Sequence, residues 1–256
     1  MPSFAALVPG RTSLAVLRRS LPRGGVRLLP CRTESQLYHL LGERLIDGVV
    51  LSTGEAGAAH LAAFRPRFPV FPLVAWGGVR PDDGDQLALW ASGGATILVE
   101  GVDDAVAGEL LRRSTLAAER RRVLVDAPKL LRLTDPLQRA AWDLLLDQVE
   151  RPARTSELAQ VLGISREHLS RQFGAGGAPN LKRVIDLVRV VTAAQLLANP
   201  GLELTDIVRV LHFASLSHLS RTAKRIAGQP AAELGKLGPR GVLGGFLRGK
   251  TRSCSR

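Results

Sequence analysis

Two stretches of the sequence arrange hydrogen-bonding side chains at helical spacing around an apolar anchor: SREHLSRQF (165–173) and SLSHLSRTAK (215–224). With Leu169 and Phe173 turned inward, a helix leaves Arg166, Glu167, Ser170 and Arg171 on its outer face. In the second stretch Leu219 takes the inward place, and Leu216, Ser217, Ser220 and Arg221 remain outside. These residue types suit the reading of base edges: an arginine fork matches guanine O6 and N7, and an exposed leucine packs on a thymine methyl. Lys224, Arg225 and Lys182, with the open amides of helices beginning at Ser165 and Ser215, suit phosphate oxygens. The plain alternative for each exposed cation is a solvated side chain. Agreement between motif, repeat and charge favours recognition.

The repeat extends well beyond the shared HLSR. A shift of 49 residues lays SELAQVLGI (156–164) over TDIVRVLHF (205–213), with Glu157 over Asp206 and Leu158, Val161, Leu162 and Ile164 over Ile207, Val210, Leu211 and Phe213. Each copy reads as a short helix, a tight turn and a second helix, the first helix capped by Thr155 or Ser156 and ended by Gly163. Between the copies, NLKRVIDLVRVVTAAQLLANPG (180–201) has the pattern of a long amphipathic spacer helix stopped by Asn199, Pro200 and Gly201. Ahead of them, DPLQRAAWDLLLDQV (135–149) starts with Asp135 as cap and Pro136 at the first helical position. The charge agrees with this division. Residues 1–150 carry a net +1, with 18 Lys and Arg against 17 Asp and Glu, whereas residues 151–256 carry +11, with 17 against 6. A concentrated positive region attracts phosphates irrespective of sequence, although a merely solubilising surface has the same composition.

Two helix-turn-helix units joined by one long helix resemble the DNA-binding domain of AraC/XylS-family transcription regulators over about 100 residues. LAQVLGISREHLSRQF resembles the family's first unit, Arg189, Ala193 and Leu196-Leu197 match its connecting helix, and LTDIVRVLHF and SHLSRTAK match its second. The sequence departs from the pattern at His212, where the turn glycine is usual, at Ala223, where a phenylalanine precedes Lys224, and in the shortened GQP at 228–230. These departures imply a second unit that packs more loosely, or reads DNA less strictly, than the first. Carried over by position, the resemblance selects Glu167, Ser170, Arg171, Leu216, Ser217 and Arg221 as base-facing. It implies a bacterial, cytoplasmic regulator with double-stranded DNA as partner, and RNA polymerase as a further one. The spacer helix would set the two reading helices in successive major-groove segments about 34 Å apart.

The first half has a different rhythm. SFAALV (3–8), VRLLP (26–30), DGVVLS (47–52), VFPLVAW (70–76) and ATILVE (95–100) read as strands, each followed by a helical stretch, the last of them a single one over 102–122. Thr33 and Ser35 open the second helix, and Gly93-Gly94 end the fourth. Such alternation predicts a doubly wound (βα)5 parallel sheet with helices on both faces. The pattern resembles the receiver domain of bacterial response regulators, with IDGVVLS corresponding to the strand that ends in the phosphoacceptor. That position is Ser52 here, VPGR (8–11) stands where an acidic pair is expected, and Glu100-Gly101 replace Lys-Pro. Aspartyl phosphorylation needs a carboxylate nucleophile and acids to hold magnesium. The resemblance therefore implies a degenerate, non-phosphorylated module for regulation or for homodimerisation through the N-terminal domain.

Other chemistry is sparse. STGEAG (52–57) offers amides to an anion but lacks GxGxxG spacing, and PDDGD (81–85) misses the pattern of a calcium loop, so both read as turns. His39 and His60 have no sequence partner for catalysis. Cys31, between Arg27 and Arg32, reads as a half-buried structural thiol; Cys31 and Cys254 have no metal-like spacing and fit a reducing compartment. No metal or cofactor is implied, and no enzyme. No apolar run approaches the ~20 residues of a membrane helix. No acid precedes Glu34, a bias shared with organelle transit peptides, but the same residues fit the first strand and helix. The expected organisation is a receiver-like domain at 1–122, a linker at 123–134, an all-helical DNA-binding domain at 135–234 and a basic flexible tail at 235–256. A second reading is a receiver-like adaptor whose helical half no longer reads DNA specifically.

Overall fold

The computed structural model describes residues 1–53, 56–78, 84–147 and 153–251. Gly54 and Glu55 of STGEAG, residues 81–83 of PDDGD, Cys254 and the last basic residues, Arg252 and Arg256, lie outside them. The chain divides into two compact units. One comprises Met1–Glu119 with Asn199–Leu202, and the other Arg120–Ala198 with the chain from Glu203 onward.

The first unit is the expected parallel sheet. Strands β1 (Ser3–Leu7), β2 (Arg27–Pro30), β3 (Gly48–Ser52), β4 (Leu73–Gly77) and β5 (Thr96–Val99) pair in the order β2-β1-β3-β4-β5. This is a doubly wound order shared by flavodoxin-like and receiver folds. The helices are α1 (Arg11–Arg19), α2 (Glu34–Glu43), α3 (Gly57–Phe64), α4 (Gly84–Ser92) and α5 (Ala107–Arg113). Because strand side chains alternate, Phe4, Ala6, Val50, Val74, Trp76 and Leu98 line one face and pack with Leu17 of α1 and Ala107 and Leu111 of α5. Thr33 caps α2 by accepting from the Gln36 amide at 3.2 Å. The single closing helix expected over 102–122 is instead two, α5 and α6 (Leu116–Val123). The Thr115 hydroxyl competes for the backbone at the break, accepting from the Ala118 amide at 3.0 Å and so starting a new helix.

The second unit is entirely helical: α7 (Ala127–Leu130), α8 (Pro136–Asp147), α9 (Thr155–Val161), α10 (Arg166–Phe173), α11 (Leu181–Leu197), α12 (Leu204–Val210), α13 (Leu216–Ala227) and α14 (Leu234–Thr251). The stretch expected as a linker is packed, since Leu124, Ala127, Leu131 and Leu133 are buried around α7. Buried Arg120 donates to the Leu146 carbonyl at 2.9 Å and to Gln195 Oε1 at 3.0 Å, which fastens α8 to α11. The hydrogen bond from Arg121 to Asp147, at 2.6 Å, holds the Arg121 guanidinium above its ordinary pKa.

The flexible tail is the clearest correction, because residues 234–251 form α14, bent at Gly238. Leu234, Val242, Leu243 and Phe246 are buried, and the Arg183 guanidinium lies 5.0 Å from the Phe246 ring centre. The glycines that suggest disorder instead permit close backbone approach. A Cβ on Gly235 would fall 2.3 Å from the Leu197 carbonyl oxygen, and one on Gly245 would fall 2.2 Å from that of Ala227.

Candidate nucleic-acid interface

Helices α10 and α13 are opened by the same device. Ser165 Oγ accepts from the His168 amide, and Ser215 Oγ accepts from the His218 amide, both at 3.1 Å. The preceding helices also match, though not through the expected hydroxyls. The cap positions are Arg154 and Glu203, whose amides donate to the Glu157 carboxylate at 3.2 Å and the Asp206 carboxylate at 2.9 Å. An acid three residues into a helix can reach back to the cap amide, which moves the cap of α9 ahead of Thr155 and Ser156.

In the first unit Leu169 and Phe173 are fully buried, and Arg166, Glu167, Ser170 and Arg171 are exposed on the other side of α10. In the second, Leu219 is buried, while Leu216, Ser217, Ser220 and Arg221 are exposed; Leu216, with 45% exposure, is unusually open for its type. Arg221 Nε donates to the Ser217 carbonyl at 3.3 Å. Lys182 and Lys224 are exposed. Arg225 differs from the simple phosphate ligand expected, because it pairs with Asp186 at 2.9 Å and ties α13 to α11, with half of its side chain still open.

The turns of the two units are not chemically equal. Gly163 takes the left-handed conformation at φ 68°, and His212 at the matching position does so at φ 50°. Arg189 supports the second turn by donating to the carbonyls of Leu211 at 3.0 Å and His212 at 3.3 Å, with its guanidinium 3.9 Å from the Phe213 ring centre. A cation at a helix C-terminus meets the negative end of the dipole, although burial lowers the pKa of this one. His218 packs edge-on against Phe213, and its Nδ1 accepts from the Ala214 amide at 3.3 Å. The expected looseness of the second unit is absent around α13. Thr222, Ala223, Ile226 and Ala227 are buried, and the α14 backbone at Gly245 lies against Ala227.

At the carboxyl ends of the strands, the groups expected at a phosphorylation site are replaced by a different network. Trp76 Nε1 donates to Ser13 Oγ at 3.0 Å, and Ser13 donates onward to Glu100 Oε2 at 2.6 Å. Ser52 ends β3, and Pro9-Gly10 precede α1. His60 lies 3.9 Å from Glu34, a neighbour the sequence did not reveal. Cys31 is more buried than expected, and burial raises its pKa. Among the described residues no group of three or more His, Cys, Asp or Glu is placed to hold a metal. None of the described helices is long and apolar enough to cross a membrane.

Spacing alone did not identify Gln138 of α8, which reaches the end of α10, although the Asp135-x-x-Gln138 pattern of a capping box marks it as a structural polar residue. Nor did it identify what Arg189 holds.

Residues 158–236 match the family model of a helix-turn-helix domain, which indicates DNA-binding transcription regulation. No curated protein matches the chain significantly. Among solved structures, full-length FixJ from B. japonicum is similar at 16% identity and a TM-score of 0.39, over 87% of this chain and 95% of that one.

Proposed function

We propose that the chain is a sequence-specific, double-stranded-DNA-binding transcription regulator of AraC/XylS type. The observation that carries this reading is the duplicated, serine-capped helix with its apolar side buried and a hydrogen-bonding side exposed. In this scheme Glu167, Ser170, Arg171, Leu216, Ser217 and Arg221 face bases, with Arg166 beside them, and Lys182, Lys224 and Arg225 position phosphates. The receiver-like unit acts as a non-phosphorylated regulatory or dimerisation module, RNA polymerase is the further partner, and the chain works in the cytoplasm without catalysing a reaction. Uptake of phosphate by the chain from a small phosphodonor with magnesium would contradict that role.

The decisive experiment selects genomic fragments bound by the full chain and then compares the selected duplex with random DNA. Arg171→Ala should weaken the selected complex by ~1–3 kcal/mol, and random DNA by much less. Equal losses on both would remove Arg171 from base reading. A chain that selects no fragment would favour the adaptor reading, in which the helical half has lost specific recognition.

A further inference from the structure

The last carbonyls of a helix lack partners within it, and α10 ends at Phe173 without the left-handed glycine that often satisfies them, since Gly174 has φ −81°. The partner comes from another helix. Gln138 Nε2 donates to the carbonyls of Phe173 at 2.9 Å, Ala175 at 3.2 Å and Gln172 at 3.3 Å. Its Oε1 accepts from the Asp135 amide at 3.1 Å, which fixes the orientation of the side-chain amide. Asp135 completes the joint: Oδ1 accepts from the Leu137 amide at 2.8 Å, and Oδ2 accepts from Gln172 Nε2 at 3.3 Å. One buried side chain thus belongs to the cap of α8 and to the end of α10. Gln138 is only 1% exposed, so water does not offer the α10 carbonyls an easy replacement.

The joint lies next to the chemistry. Arg171 directly precedes Gln172, and α10 has only 8 residues, so its direction depends on how its two ends are held. Bidentate reading tolerates displacements of ~0.5 Å and ~10–20°, whereas a flexible cation still finds a phosphate after such a shift. Resting on the DNA-reading function above, we propose that Gln138, which lies outside both helix-turn-helix units, is the positioning residue for the first reading helix and sets the sequence discrimination of Arg171. The second reading helix ends differently: its C-cap Gly228 takes the left-handed conformation at φ 72°.

The test uses the full chain and a duplex that the unaltered chain has selected from a random-sequence pool, with single-base changes across the site. Arg171→Ala identifies the half read by α10. Gln138→Glu keeps an acceptor for the Asp135 amide but places carboxylate oxygen against the α10 carbonyls. It should lower discrimination in the α10 half by about tenfold and leave the other half unchanged. Gln172→Ala, which removes only the tether to Asp135, should give a smaller loss in the same half. It decides the matter if circular dichroism shows Gln138→Glu unfolded. Unchanged discrimination, or equal loss in both halves, overturns the positioning role while leaving the regulator reading intact. Failure of the unaltered chain to select any sequence overturns that reading and this proposal with it.

Discussion

His212 occupies the place of Gly163 and adopts the same left-handed backbone, a conformation in which a Cβ costs ~1–2 kcal/mol. Its carbonyl, not its imidazole, is the group that Arg189 holds. His212→Gly should therefore raise stability by about 0.5–1 kcal/mol, the relief of strain being partly offset by the extra entropy of glycine in the unfolded chain. Urea unfolding measures this, and a destabilised variant would mean that the imidazole itself contributes. Cys31 illustrates the same dependence on surroundings. A nearby cation lowers a thiol's pKa, yet beside Arg27 and Arg32 in sequence Cys31 reads as a structural thiol, and burial pushes its pKa up. Alkylation needs the thiolate. Iodoacetamide should therefore label Cys31 slowly in the native protein and fast in denaturant, as followed by mass spectrometry of its peptide. The sign for stability follows: a thiol whose folded pKa is raised ionises first in the unfolded state, so alkaline solution favours unfolding through this group.

The strands were legible because each combines an apolar run with turn residues on either side, and the duplicated units because their apolar spacing repeats with Ser165 and Ser215 at the caps. Three features were less legible for separate physical reasons. The break at Thr115 depends on one hydroxyl choosing the backbone over solvent. The starts of α9 and α12 depend on which of several adjacent polar residues reaches the cap amide, and the acids at Glu157 and Asp206 do so rather than the neighbouring hydroxyls. Glycine caused the largest discrepancy, since it signals flexibility in a lone segment but permits tight packing once a neighbouring helix is present. In α14 the distinction becomes measurable. Gly245→Val forces a side chain into the Ala227 carbonyl and should cost ~1–3 kcal/mol or more. Gly249→Ala, where a Cβ meets nothing within 4 Å, should stabilise by about 0.5–1 kcal/mol. Thermal melting of both variants distinguishes a packed helix from a dispensable tail, for which neither change would matter.

Across the whole chain, charge and chemistry are segregated. The net +11 lies in residues 151–256, the stretch that contains α10 and α13, while residues 1–150 are close to neutral at +1. Counterion release makes the logarithm of nonspecific DNA affinity fall linearly with the logarithm of salt, with a slope of about −0.9 per phosphate neutralised. If the helical half supplies those contacts, the full chain on random duplex should show a steep salt slope, and Lys224→Ala should make it shallower by about one. Arg19→Ala, also an exposed cation but in the near-neutral unit, should leave the slope unchanged. The comparison separates a local phosphate contact from net charge, because each substitution removes one positive charge from the same molecule. Equal changes in slope would mean that the chain's overall charge drives binding. A slope near zero would favour the adaptor reading, since a double-stranded DNA partner held by Lys182, Lys224 and Arg225 must release counterions.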